Sequence, residues 1–182
     1  TVPTYSKSRN TLFDDGTTWA AAVCMVPWQL YLQYGDKQVI RENFEAMKSW
    51  LDGMAYYKIP GYEGLSSKTS GLADWLSVDI RTSSDICNNA IYLYMVKVTA
   101  VMAEAIGETD YASILNKRYE QGKRSFNKAY VDPATGMTRS VSIKDGSIEK
   151  IIDSQTSYAT PLSFDLFSED DRISSGEYEG MT

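Results

Sequence analysis

The 182-residue chain has no histidine. Ser-His-Asp triads, Cys-His pairs and histidine-ligated zinc sites are therefore excluded within it, and general acid–base work falls to Asp, Glu, Lys or Tyr. Cysteine is nearly absent as well: Cys24 and Cys87 are the two in the chain, both in apolar helical contexts. Two buried free thiols are expected there, against one disulfide. No motif calls for a metal or an organic cofactor, and none is expected. Positive charge is scarce. A net charge of −6 and a pI near 4.7 leave no clustered Lys and Arg for a phosphate backbone, so nucleic acid is not an expected partner. No uninterrupted apolar run reaches the roughly 18 residues of a membrane span, and the opening TVPTYSKSRN carries no apolar signal core. The chain also lacks a starting methionine, so a cut or processed end is expected there.

What the chain does have is helical periodicity and aromatics, with 13 Tyr and 4 Trp, residues that pair a ring with a polar handle. From Trp19 to Tyr34 the sequence is apolar nearly all round, which suits a helix buried on most sides. Pro27 inside it should kink it or set a new start. Gly35 is placed to end that helix and Asp36 to cap the next. In KQVIRENFEAMKSWLDGMAYY, Ile40, Phe44, Met47, Leu51 and Met54 form one apolar stripe, predicting an amphipathic helix and an αα-hairpin. A second pair follows: an apolar helix after Ser83 and Ser84, ended by Gly107, then an amphipathic helix with Leu115, Tyr119 and Phe126 on one face. Positions 40, 44 and 51 map onto 115, 119 and 126 at a constant offset, the mark of a degenerate repeat of helical hairpins.

Two segments interrupt this pattern. Residues 58–84 are rich in Gly and Ser, yet aromatic, which predicts a functional loop in place of a disordered one. Within it a carboxylate and a flat ring stand side by side, Asp74-Trp75. Further on, Asp145-Gly146 between alternating residues predicts a small β-hairpin near 137–151, after which SQTSYATPLSFDLF resumes a helix. The fold class is thus all-α: about five helices in helical hairpins, where a closed (α/α)6 barrel has twelve. An inner helix of a partial barrel exposes apolar surface on its open side, which predicts a partner in the remainder of the same barrel.

The stretch WAAAVCMVPWQLYLQYGDKQVIRENFEAMKSWLD resembles the barrel segment of bacterial α-L-rhamnosidases, glycoside hydrolase family 78. GLADWL is similar to that family's Gly-Asp-Trp-Leu loop. AEAIGETDYASILNKRYEQGKRSFNKAYVDPATG and DSQTSYATPLSFDLF resemble its next stations, in the same order. The likeness runs from about residue 11 to 167, and order and spacing make it more specific than any one motif. It implies that residues 1–182 are part of an (α/α)6 glycosidase catalytic domain from a bacterial periplasm or cytoplasm, with a pocket for a terminal rhamnose. It implies an inverting mechanism in which one carboxylic acid protonates the leaving oxygen and another carboxylate activates water. Both are glutamates in the family, one upstream of the Trp19 segment and one downstream of the Gln-Thr helix, so no catalytic residue is expected in this chain. The chain departs from the pattern at Trp19-Ala20-Ala21, where the family often has Trp-Gly-Asp, and at Ala73, where it has glycine before Asp-Trp.

The resemblance also implies a rhamnose-containing carbohydrate as partner and four substrate-binding candidates. Trp75 would pack against the C6 methyl of the deoxysugar, or else anchor its loop. Asp74 would accept sugar hydroxyls, or else cap a turn. Trp19, at a helix start that opens onto the pocket, would stack on the sugar or join the core, and Tyr62, with Glu63, would line the rim or else lie in solvated loop. Trp28 and Trp50 read as core residues, and Asp79 and Asp85 as capping or surface residues in preference to a catalytic carboxylate pair, since spacing alone decides nothing. Two other readings stay open: a catalytically inactive glycan-binding barrel, consistent with Ala21, and a helical-hairpin module that binds a protein along a concave face.

Overall fold

A computed structural model describes residues 17–69, 71, 74, 75, 77, 78 and 80–168. Ala73, Asp79 and the acidic tail from residue 169 lie outside the described residues. In chain order the elements are α1 Thr17–Ala20, α2 Ala22–Tyr34, α3 Lys37–Tyr56, α4 Ser84–Ile106, α5 Thr109–Tyr130, β1 Arg139–Val141, β2 Ile148–Ile151 and α6 Gln155–Ser163. α1 and α2 are one helix interrupted at Ala21, which gives the five expected. The Ala21 carbonyl accepts the N–H groups of both Cys24 (3.0 Å) and Met25 (2.9 Å). The sequence places the irregularity at Pro27, but α2 continues through Pro27 and the break lies on its N-terminal side. A proline acts on the carbonyl four residues back, here Val23, so Pro27 does not account for the break at Ala21.

Each hairpin turns on a glycine in the left-handed region, Gly35 at φ 66° and Gly107 at φ 93°. Asp36 Oδ1 then caps α3, accepting the N–H groups of Gln38 (2.8 Å) and Val39 (3.4 Å). The α3 stripe Ile40, Phe44, Met47, Leu51 and Met54 is buried, as are Leu115, Tyr119 and Phe126 of α5. Between them lies α4, which contacts α2, α3, α5 and α6. α4 is the one described helix long and apolar enough to cross a membrane, but most of its apolar stretch is buried against these neighbours. On α2, by contrast, Val26 and Leu32 are 54% and 56% exposed. Trp28 and Trp50 are half-buried and pack on the core, Trp50 edge-on to Tyr92 at 6.3 Å.

Backbone meets backbone where the loop after α3 crosses α5. A Cβ added at Gly64 would lie 2.8 Å from Gly122 Cα, and one at Gly122 would lie 2.3 Å from Leu93 Cδ2. The strands pair antiparallel, Arg139 with Ile151 and Val141 with Ile148, with an irregularity between Ser140 and Val141. The alternation expected in them gives way to a sided arrangement: β1 is buried throughout and β2 exposed throughout. β1 is covered by α5 and α4. Its Arg139 guanidinium donates to the Ala129 (3.1 Å) and Lys128 (2.9 Å) carbonyls, placing a cation at the C-terminal end of α5.

Candidate functional site

The long loop is tied down by side chains. The Ser66 N–H donates to Asn89 Oδ1 (2.7 Å), and Asn89 Nδ2 donates back to the Ser66 carbonyl (3.0 Å), so a side-chain amide of α4 acts as a local strand partner. Ser66 Oγ donates to the Met54 carbonyl (2.8 Å) and Thr17 Oγ1 to that of Lys68 (2.8 Å). With Ile59, Tyr62 and Leu65 buried, the first half of the loop is part of the core.

Its second half carries Asp74. Asp74 Oδ2 accepts the N–H (3.1 Å) and hydroxyl (2.9 Å) of Thr82, and Oδ1 accepts the Thr156 hydroxyl (3.3 Å). Thr82 Oγ1 lies 2.5 Å from Ser154 Oγ. The Thr82 proton is already given to Asp74, so Ser154 is the donor in that bond. A carboxylate offers about four lone-pair sites. Described residues fill three of these, which leaves one on Oδ1 for a ligand.

The opposite side is the start of α6. Ser154 and Ser157 form a reciprocal capping box, each hydroxyl accepting the other's N–H at 3.3 and 3.2 Å. Just before it, Asp153 sits at φ 36°. Its Oδ1 accepts the Tyr158 hydroxyl at 2.9 Å. That hydroxyl in turn accepts the Thr138 N–H at 3.3 Å.

Between these sides lies a cavity of about 420 Å³, within the roughly 300–1,000 Å³ of small-molecule clefts. Asp74, Ser77, Asp153, Ser154, Gln155 and Thr156 form its polar wall; Trp75, Val78 and Ile80 are apolar. Trp75 is 60% exposed, so its ring is available for stacking and does not anchor the loop in the core. No Lys or Arg is among the described residues of the wall. Away from the wall, burial first, with the charges of Asp74 and Asp85 adding, pushes the Cys87 thiol up to about 12. Burial likewise pushes Cys24 to about 12, and both thiols are free.

Of the four candidates, the structure brings Asp74 and Trp75 together in the cavity wall. Trp19 is 68% exposed on α1, outside that wall. Tyr62 is 8% exposed; its ring lies 5.5 Å from the Lys128 ammonium and against the Gly146 turn, and it serves the fold. Glu63 pairs with the Gln121 amide. Asp85, read as a capping or surface residue, is 5% exposed, and its Oδ2 accepts the Val141 N–H at 3.2 Å, pinning β1 to α4. Burial holds its carboxyl above the ordinary range despite that bond. Sequence reasoning missed Thr82, Asp153, Ser154, Gln155 and Thr156. Their one signal was the hydroxyl-rich run before a helix, which reads as a cap and says nothing of a cavity.

Packed αα-hairpins with a small antiparallel sheet and a polar, ring-walled cleft between loop and helix start define the class: a helical-hairpin domain. The chain belongs to the bacterial alpha-L-rhamnosidase 6 hairpin glycosidase domain family, whose model matches residues 1–179. It is 26% identical over 161 residues to an alpha-L-rhamnosidase of Formosa agariphila, covering 85% of this chain and 16% of the relative. It is 28% identical over 148 residues to one of Streptomyces avermitilis, covering 81% and 12%. Its fold is similar to the crystal structure of Streptomyces avermitilis alpha-L-rhamnosidase complexed with L-rhamnose, with TM-score 0.72, 24% identity, and 93% of this chain and 15% of that chain covered. The native Aspergillus terreus enzyme matches with TM-score 0.68 and 26% identity over 86% of this chain and 18% of that one. The chain thus spans less than a fifth of the length of these relatives.

Proposed function

We propose that the full-length protein carrying this chain is an inverting α-L-rhamnosidase, which hydrolyses terminal α-L-rhamnosides of glycans or plant glycosides. This chain supplies pocket residues and not the acid–base pair. The observation that carries the reading is the cleft in which Trp75 and Asp74 stand together, in a chain of this family. The Trp75 ring packs on the apolar C6 methyl side of the sugar, and the remaining acceptor site of Asp74 Oδ1 takes one hydroxyl. Trp19, exposed on α1 outside the cleft wall, offers a further ring face to the substrate. A carboxylic acid from outside residues 1–182 protonates the glycosidic oxygen as the C1–O bond breaks. A second carboxylate, also from outside, takes a proton from the water that attacks C1 from the opposite face. The remainder of the barrel covers the exposed Val26 and Leu32 face of α2.

The test is proton NMR of an aryl α-L-rhamnoside incubated with the full-length protein. β-L-rhamnose as the first-formed product fits inversion; α-L-rhamnose as first product, or hydrolysis only of other glycosides, contradicts the proposal. A second reading, sugar binding without turnover, is favoured by Ala21: it is 3% exposed, with a methyl group where the family often carries an acid. Saturable rhamnose binding without hydrolysis would select it.

A further inference from the structure

We infer that Asp153 is a ligand-contacting, specificity-determining residue of this cleft, whose Oδ2 accepts a hydroxyl of a neutral sugar and disfavours anionic ones. The inference rests on the reading of the cleft as a sugar site. Asp153 enters the wall from the segment between β2 and α6, on the side away from the loop that carries Asp74. Its φ of 36° is the left-handed region, which disfavours a residue with a Cβ, and such backbone concentrates at working sites. The helix does not require it as a cap, because Ser154 already holds that position.

The carboxylate is oriented at one end only. Thr138 N–H fixes the Tyr158 hydroxyl, and that hydroxyl donates to Oδ1 at 2.9 Å. Oδ2 has no partner among the described residues, while Asp74 has three of its four acceptor sites filled. Most of the carboxylate acceptor capacity left in the described wall therefore belongs to Asp153. Sugar hydroxyls are donors and match it. A hexuronate would bring a third carboxylate to Asp74 and Asp153 with no Lys or Arg in the described wall to offset it.

The experiment uses the full-length protein, 4-nitrophenyl α-L-rhamnoside as substrate, and L-rhamnose and a hexuronate as competing inhibitors. In Asp153→Asn, asparagine tolerates the left-handed backbone and its Oδ1 still accepts the Tyr158 hydroxyl, while the Oδ2 acceptor becomes a donor. KM is expected to rise roughly tenfold or more with kcat little changed, because the lost contact is made in the ground state as well. Inhibition by L-rhamnose weakens in parallel, and the preference over the hexuronate narrows. Asp153→Gly keeps the backbone conformation, removes the carboxylate and should reproduce the KM effect. Tyr158→Phe, which only frees the carboxylate to rotate, should raise KM less. Wild-type turnover with KM unchanged in both Asp153 variants overturns the inference alone. A wild-type protein that neither binds nor hydrolyses the rhamnoside removes the sugar reading and this inference with it.

Discussion

The hydroxyls of Thr82 and Ser154 lie 2.5 Å apart across 72 positions of sequence, and through them the two sides of the cleft are one hydrogen-bonded unit. One end of the chain is Asp74 on the loop; the other is the capping box of α6. A carboxylate in such a network holds its direction before any ligand arrives, which lowers the ordering cost of binding.

Thr82→Ala cuts this link. It strips Asp74 of one hydroxyl donor and leaves the buried Ser154 hydroxyl without its partner, a loss of about 1–3 kcal/mol in stability. The urea midpoint should fall with little change in slope, and Thr82→Ser, which keeps the hydroxyl, should recover most of it. Equal midpoints for Ala and wild type would show that the link contributes nothing.

Two glycines give opposite expectations. Gly64→Ala forces a Cβ to 2.8 Å from Gly122 Cα at a φ of 85°, and overpacking of this kind typically costs about 1–3 kcal/mol before the backbone strain is added. Gly53, exposed within α3, has nothing within 4 Å of such a Cβ. Gly53→Ala should stabilise by about 0.5–1 kcal/mol through helix propensity alone. Thermal unfolding of the two variants beside wild type reads both signs.

Asp85 makes stability depend on pH. Its folded-state carboxyl is raised, first by burial, above the ordinary value of 3.8. The folded state therefore binds that proton more tightly than the unfolded state, and its contribution is present below 3.8 and lost as pH rises through the raised value. Asp85→Asn keeps an acceptor for the Val141 N–H and removes the charge. Its stability relative to wild type should increase from pH 4 to pH 7, measured by denaturant unfolding at each pH. Parallel curves would contradict the assignment.

Cys24 and Cys87 should be chemically silent. Both thiols are buried and free, and both are pushed up to about 12 by burial. A thiol reagent at pH 8 should label neither in the native state and both after denaturation, since the thiolate is the reactive form. Rapid native labelling of either would place it at the surface.

The parts of this molecule legible in the sequence are those written in periodicity and local turn chemistry. The α3 stripe, the Gly35 and Gly107 turns, the Asp36 cap and the Asp145-Gly146 hairpin each depend on residues within a few positions of one another. The site was only half legible. The Asp74-Trp75 pair announced itself because a ring beside a carboxylate is uncommon in a loop. Thr82, Ser154 and Thr156 did not, because a hydroxyl has the same sequence signature whether it caps a helix or holds a distant carboxylate. Asp153 and Asp85 were hidden for a related reason: the left-handed backbone of one and the burial of the other arise from contacts with β1, α4 and α6 that no local pattern encodes. Tyr62 stood in an aromatic loop that looked exposed, yet the Asp145-Gly146 turn closes over it.

The central claim is that residues 1–182 carry the sugar-binding wall while the catalytic carboxylates come from elsewhere in the protein. The most direct measurement is release of nitrophenol from 4-nitrophenyl α-L-rhamnoside, assayed side by side for the full-length protein and for the 182-residue chain alone. The account predicts turnover by the full-length protein, with none above background from the isolated chain. Turnover by the isolated chain would contradict it and direct attention to Asp74 and Asp153 as the reacting carboxylates.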